Sequence, residues 1–330
     1  MSLEPARVER ALDLARWSPS AHNTQPWVVE HGRGRIVVRA DPSRALPHSD
    51  PTRRDLRLSL GAFVEALQIS LAAEGERFDR EPPPDGAFAA LSHQGPMDPE
   101  PEAASLLRQR QTSRLAYSSR PLEAEALEAL AEGARRHGLQ LHLAPEGSAR
   151  REKWSRWLFA ASREGWLDAR ATAELRRWVR FDPEGARAPE DGLSTHCLGL
   201  GTAEAAALVV AMRPALWKAT SAALLAPALA SQLAKAAVAS AEKAPCFGAL
   251  ACAGEAGDQG GPLLRFWLEA TRLRLAIHPI SELLDRRGWE LAKDLQVSPR
   301  QIVLAFRLGR SVPPPRSGRR DVKHFARRTD

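Results

Sequence analysis

Cysteine is scarce in this 330-residue chain: three residues, an odd number, which excludes a disulfide-stapled scaffold and suits a reducing, cytoplasmic setting. Tyrosine occurs once and aromatics total 6%. A binder of nucleic-acid backbone interleaves stacking aromatics with a basic stripe, so that role has little support. No charge-free run exceeds the 16 residues from Ala219 to Ala234, and that run holds Thr220, Ser221, Pro227, Ser231 and Gln232. It is too short and too polar to cross a bilayer. The first residues, Met1 to Arg7, carry Glu4 and no apolar segment, so no signal peptide is expected. Lysine is rare as well, with six residues against 41 arginines.

What is present is enough for a sizeable core. The chain is 44% hydrophobic, with 25 prolines, 22 glycines and a net charge of +7. Its length fits two domains or one duplicated unit. The charge is concentrated: from Arg300 onward nine basic residues face two acids, a local excess of seven. Arginine's planar fork matches phosphate oxygens better than lysine's point charge does.

Val8, Leu12 and Ala15 recur at helical spacing, and the pattern stops at Ser18-Pro19, because proline disfavours helix in the residue before it. The loop from Ser18 to Trp27 is dense in hydrogen-bonding side chains and fixed by Pro19 and Pro26. Val28 to Glu30, Gly32-Arg33-Gly34 and Ile36 to Arg39 read as a β-hairpin. A helix is expected from Arg53 to Gly75, then a proline- and glycine-rich linker over residues 81–104. Beyond it the pattern predicts a helix ending near Arg110, a helix from Glu123 to His137, a strand from Leu139 to Leu143 and helices from Trp154 to Val179. An alanine-rich stretch from Thr202 to Ala244, a helix from Leu263 to Leu273 and a strand from Ile302 to Leu308 complete it. Without a steady βαβ rhythm the expected class is α+β. Gly61-Ala62 and Gly261-Pro262 each precede similar apolar helical patterns two hundred residues apart, a hint of duplication. The halves would be residues 1–80 and 105–330, with 202–244 as a candidate lid or, equally, as buried closing helices.

Three separated segments suit one flat, polar, phosphorylated ligand. Pro19, Ser20, Ala21, Asn23 and Gln25 offer donors and acceptors for a heterocycle edge. Arg110, Thr112 and Arg114 place two cationic forks around a hydroxyl, and Arg316-Ser317-Gly318-Arg319-Arg320 repeats the anion-friendly pattern after three prolines. Each has a plainer reading: a cap or turn, a solvated helix face, and a basic tail. Cys197 beside His196 and the Cys246-x5-Cys252 pair fit neither an activated nucleophile nor a usual zinc spacing, so buried thiols are the default. Gly254 to Gly261 has neither the spacing nor the preceding strand of a phosphate loop.

The segment Ala15-Arg16-Trp17-Ser18-Pro19-Ser20-Ala21-His22-Asn23-Thr24-Gln25-Pro26-Trp27 resembles the flavin-contact loop of the nitroreductase family. Arg110-x-Thr112-x-Arg114-x-Ala116-Tyr117 resembles that family's phosphate and pyrimidine motif, and Arg316-Ser317-x-Arg319-Arg320 its C-terminal basic motif. Glu174-Leu175-x-x-Trp178 with Asp191-Gly192-Leu193 resembles its middle segment, and Ile277 to Glu282 its turn at flavin N5, with Glu282 where many members have glycine. The motif order is reversed relative to ordinary members. With the repeated helix, this resembles the tandem, Acg-type proteins, whose two degenerate halves form a pseudo-dimer around short central sheets.

The resemblance implies one complete FMN site. It would be built from Pro19, Ser20, Ala21, Asn23, Gln25, Arg110, Thr112, Arg114, Pro279, Ile280, Ser281, Arg316 and Arg319, with no catalytic side chain and no metal. NAD(P)H would reduce the flavin, which would pass electrons to a small aromatic or quinone-like acceptor. Arg110 would stabilise the reduced flavin, and a backbone donor from Ile280 or Ser281 would face N5. The alternative is an FMN-binding protein without turnover, for storage, sequestration or redox sensing. No nucleic-acid or membrane partner is expected, and the chain would act as a monomeric pseudo-dimer or a homodimer.

Overall fold

A computed structural model describes residues 4–180, 190–222 and 224–329. In the first part α1 (Pro5–Ala15) has proline at its start, where the missing N–H costs nothing. The hairpin β1 (Trp27–Gly32) and β2 (Arg35–Ala40) turns on Arg33 and Gly34, both at positive φ, which matches the twist of the flanking strands. Then come α2 (Arg54–Ala73), β3 (Glu76–Glu81), β4 (Ala89–Pro96) and α3 (Pro101–Gln109). The stretch expected as a linker therefore holds a strand and the start of a helix. Its prolines lie outside β4 or at its last residue, and β4 pairs with both β2 and β3.

The second part runs α4 (Ala124–Arg136), β5 (Leu139–Pro145), α5 (Ala149–Leu167), α6 (Ala169–Trp178), β6 (Val179–Arg180), β7 (Leu193–Ser194) and α7 (Thr195–Leu198). It continues with α8 (Thr202–Ala211), α9 (Pro214–Ala222), α10 (Ala226–Glu242), β8 (Cys246–Cys252) and α11 (Ala256–Arg272). It ends with β9 (Ala276–Pro279), α12 (Ser281–Leu295), β10 (Ile302–Gly309) and β11 (Ala326–Arg328).

The fold is α+β. One sheet has the order β11-β1-β2-β4-β3 and another the order β5-β8-β10-β9. The chain's last strand thus leaves the second sheet's neighbourhood and adds to the edge of the first, parallel to β1, with Val29 opposite Ala326. Trp27 stacks on Phe63 with ring centroids 4.4 Å apart, and Phe325, just before β11, meets Phe63 edge-on. The returning segment is therefore anchored in the first core.

Between the sheets, α2 and α11 cross at very short range. A Cβ on Gly61 would come to 2.1 Å from the Gly257 carbonyl oxygen, and one on Gly260 to 2.4 Å from that of Leu58. The helices share their cores: Leu264 and Leu268 of α11 pack with Phe63 and Leu67, while Leu58 of α2 packs with Leu263 and Phe266. Helix α11 begins at Ala256, seven residues before the expected start, and Gly61 and Gly261 lie inside helices instead of opening them. Gly257 and Gly260 are contact residues here, so their helix-weakening character is outweighed by close packing.

The alanine-rich region divides. Ala226, Ala230 and Ala234 of α10 are buried, and α10 packs closely on α5, with Arg163 donating to Ser231 at 3.0 Å. The preceding α8 is largely exposed along its length, with Val210 at 47%.

Candidate functional site

The loop after α1 is held in an uncommon backbone shape. His22, Asn23 and Gln25 all have positive φ (49°, 56° and 51°), a region that costs side-chain-bearing residues energy unless surroundings impose it. Four hydrogen bonds impose it here. The Ser20 hydroxyl oxygen accepts from the Gln25 N–H at 3.0 Å, and Ser59 on α2 accepts from the Ala21 N–H at 3.3 Å. The Asn23 amide donates to the carbonyls of Gly192 (3.0 Å) and Gly318 (3.1 Å), drawing two distant segments onto the loop.

Gln25 is fully buried, and its side chain is engaged by the protein itself. Its Nε2 donates to the Glu190 carbonyl at 2.9 Å, its Oε1 accepts from the Arg320 N–H at 2.9 Å, and the Arg320 guanidinium donates to the Gln25 carbonyl at 3.0 Å. In this arrangement Gln25 braces the loop. Asn23 differs, because its Oδ1 is buried with no partner among the described residues.

The segment after α3 is fixed by β-bridges. Thr112 pairs with Ile277 in parallel, Ser113 donates its N–H to the Ile277 carbonyl at 3.2 Å, and Tyr117 pairs with Ser311. This sets Thr112 beside Ile277, two residues before the Pro279-Ile280-Ser281 turn. The Ile280 N–H, however, donates to the Ala305 carbonyl at 2.7 Å. That engages one of the two donors expected to face flavin N5 and leaves Ser281, the first residue of α12. A helix's first N–H groups lack intrahelical acceptors, which suits Ser281 to that task.

Arg110 is 5% exposed and has no carboxylate against it among the described residues. Its Nη2 donates to the Trp17 carbonyl at 3.1 Å, its guanidinium lies 4.8 Å from the Trp267 ring centre, and its Nε and Nη1 have no hydrogen-bond partner. Burial, then the neighbouring Arg319, Arg316 and Arg114, pulls it down to about 9. Arg319 is pulled down to about 10, chiefly by burial, and its Nε is also buried without a partner. Arg114 is lowered as well, by burial first and then by Arg307, with Cys197 opposing. Arg316 and Arg319 lie over Trp17, at 4.7 and 5.3 Å from the ring centre. Arg110, Arg316 and Arg319, from two separated segments, therefore gather around Trp17, with Arg114 near enough to lower both Arg110 and Arg319. Isolated buried cations are costly unless paired, so Arg110 and its neighbours could hold an anion.

Several residues at the site carry no motif in the sequence. Arg307 on β10 is 3% exposed, donates to the carbonyls of Arg114 (2.9 Å) and Ser240 (2.6 Å), and lies over the Tyr117 ring. Its place within an otherwise apolar strand run is the one signal in the sequence, since a charged residue in such a run demands partners. His22 is lowered by burial, with Arg114 adding to the effect, and His278 is well lowered by burial and then by Arg114 and Arg307. Both are neutral near pH 7. Burial also raises Asp50 and Asp285, which lie near Arg54 and Asp55 at the start of α2, and Glu282, which meets Ser162 and Arg286.

The middle-segment residues are braces. Glu174 accepts from the N–H groups of His48 (3.1 Å) and Ser49 (2.8 Å), and Asp191 pairs with Arg44 (2.9 Å) and Arg180 (2.5 Å). Cys197 and Cys246 are buried free thiols and Cys252 is a half-buried one, while the His196 side chain lies outside the described residues. No group of three or more metal-ligating side chains occurs among the described residues.

No family model matches the chain. It is 31% identical over 140 residues to Rv3131 of Mycobacterium tuberculosis, a protein named as an NAD(P)H nitroreductase, which covers 41% of each chain. It is 34% identical over 74 residues to PigM of a Serratia species, also named as an NAD(P)H nitroreductase, covering 22% of this chain and 21% of PigM. The matched segment thus spans about two fifths, or less, of these curated relatives. Among solved structures, the FMN-dependent nitroreductase NfnB of Mycobacterium smegmatis in complex with NADPH aligns at 18% identity and a TM-score of 0.37, over 69% of this chain and 98% of its own. A nitroreductase with bound FMN from Desulfitobacterium hafniense aligns at 14% identity and a TM-score of 0.35, over 65% and 93%. Over the matched segments, this chain is similar to proteins of the nitroreductase family.

Proposed function

We propose that this chain is an FMN-dependent oxidoreductase of the nitroreductase family, in the tandem form where one chain supplies both halves of a pseudo-dimer. The observation that carries the reading is the cluster of Arg110, Arg114, Arg316 and Arg319, with buried N–H groups that lack partners and no opposing carboxylate among the described residues. Those donors fit the phosphate of FMN, and the unpartnered Asn23 Oδ1 fits an N–H on a heterocycle edge. The tandem form is supported by the two sheets, by the tight crossing of α2 with α11 between them, and by β11 returning to the first sheet.

Reversible hydride uptake is the chemistry that FMN supplies when bound. The chain's part is binding, orientation and electrostatics. Arg110, Arg114 and Arg319 would hold the phosphate, and their positive field would favour the anionic reduced state. Ser281 would offer its free N–H as a hydrogen-bond donor to the ring system. The strained Ser20 to Gln25 loop, braced by Arg320 and Ser59, would hold Asn23 in place before any ligand arrives, which lowers the ordering cost of binding. Electrons would come from NAD(P)H and leave to a small aromatic or quinone-like acceptor.

The absorption spectrum of the purified protein, followed by mixing with NADPH in the absence of oxygen, tests this. Flavin bands that bleach with NADPH and return on adding a quinone support the enzyme. A protein that stays colourless after incubation with FMN contradicts the binding site, and a coloured one that neither NADPH nor NADH bleaches contradicts turnover.

A further inference from the structure

The cluster holds more positive charge than one flavin nucleotide neutralises. Arg110, Arg114, Arg316 and Arg319 carry four formal charges without carboxylate partners among the described residues, whereas a phosphate monoester carries about −2 near neutral pH. Arg16 is a fifth cation at Trp17, 5.9 Å from the ring centre, but Asp13 pairs with it at 2.8 Å. The four unpaired arginines are graded in depth. Arg110 is buried, Arg114 and Arg319 are half-buried, and Arg316 is exposed. Arg316 is also held in place. Its guanidinium lies 4.7 Å from the centre of the Trp17 ring, and its Nη2 donates to the Arg108 carbonyl. A stacked guanidinium has lost much of its rotamer freedom while its remaining N–H groups stay available, the condition for two-pronged recognition of a phosphate.

We propose that Arg316, seated on Trp17 at the open side of the cluster, recognises a second phosphate, the 2′-phosphate of an adenine dinucleotide donor, and so selects NADPH over NADH. The inference rests on the flavin reading above for the place of the nicotinamide. Arg319, between the buried and exposed members, shares both phosphates, and Trp17 offers the flat apolar surface against which Arg316 is aligned.

The test is calorimetric titration of the FMN-treated protein with 2′-phospho-ADP-ribose and with ADP-ribose, alongside the flavin absorbance of the same sample. The proposal expects the 2′-phosphorylated ligand to bind at least tenfold more tightly, Arg316→Ala to bring that ratio below threefold, and Arg316→Lys to restore part of it. Equal affinity for the two ligands in the unmodified protein overturns it, as does absence of binding by either or a ratio unchanged in Arg316→Ala. A colourless sample removes the flavin reading separately, because the affinity ratio is read without turnover. Trp17→Leu supplies a second variant, expected to lower the ratio by freeing the Arg316 side chain.

Discussion

The guanidinium of Arg110 lies 4.8 Å from the ring centre of Trp267, on the helix that crosses α2, so the buried cation of the candidate phosphate site is set against the helix of the α2–α11 crossing. The indole face compensates part of the charge, but two of the guanidinium nitrogens remain without acceptors. Arg110→Ala is therefore expected to weaken FMN binding by about 10- to 150-fold, the equivalent of roughly 1.5–3 kcal/mol for a charge-assisted hydrogen bond. The ligand-free variant should melt no lower than the parent, because an uncompensated buried charge has been removed. Fluorescence titration and thermal melts without FMN measure the two effects; undiminished affinity would reject the placement of Arg110.

A pH dependence follows from the same residue. Burial and three neighbouring arginines hold Arg110 at about 9, below the ordinary guanidinium range. Its charged form binds the phosphate, so FMN affinity should be steady from pH 7 to 8 and fall as pH rises through about 9. For the ligand-free protein the sign is opposite. The unfolded chain keeps this proton to higher pH than the folded one, so Arg110's contribution to stability increases above pH 9. FMN dissociation constants measured between pH 7 and 10.5 would show the decline, and a constant that is flat across that span would exclude it.

Gly61→Ala tests the helix crossing. The added methyl would lie 2.1 Å from the Gly257 carbonyl oxygen, a backbone atom that cannot swing aside. Overpacking of this kind costs about 1–3 kcal/mol, occasionally more. Denaturant unfolding should show a loss of that size, accompanied by weaker flavin retention because α2 and α11 both border the site. Gly95→Ala makes a useful contrast: its new methyl meets nothing within 4 Å, and only the strain of its positive φ is expected to register.

Arg307 holds the carbonyls of Arg114 and Ser240 from within a fully buried strand. Truncation to alanine leaves both acceptors unsatisfied, at about 1–3 kcal/mol each. Arg307→Ala should lower stability by roughly 2–6 kcal/mol and also loosen FMN, whereas Arg307→Lys should recover part of each. A variant with parental stability would show that water replaces these bonds at no cost.

Much of this architecture was legible where local patterning and tertiary demand agree. The apolar spacing of Val8, Leu12 and Ala15 gives α1, the Arg33-Gly34 turn gives the first hairpin, and the run from Ile302 gives β10. It failed where tertiary contact overrides propensity. Gly260 looks like a helix breaker and is instead required by the approach of α2. The small residues and thiols of Cys246–Cys252 conceal a central strand, and the prolines around β4 conceal an interior strand that pairs on both sides. At the site, Arg110, Arg316 and Arg319 meet at Trp17. The sequence could not distinguish Gln25, whose amide is engaged by Glu190 and Arg320, from Asn23, whose oxygen is left without a partner. That difference depends on where residues nearly three hundred positions away return.

The central claim is that these arginines exist to bind a phosphate, and comparing FMN with riboflavin tests it most directly, since the two differ only in that group. Titration of the ligand-free protein by flavin fluorescence quenching should show FMN bound about 100-fold more tightly or better, a difference of roughly 2.7 kcal/mol. Riboflavin binding within threefold of FMN, or no binding of either, would contradict the account.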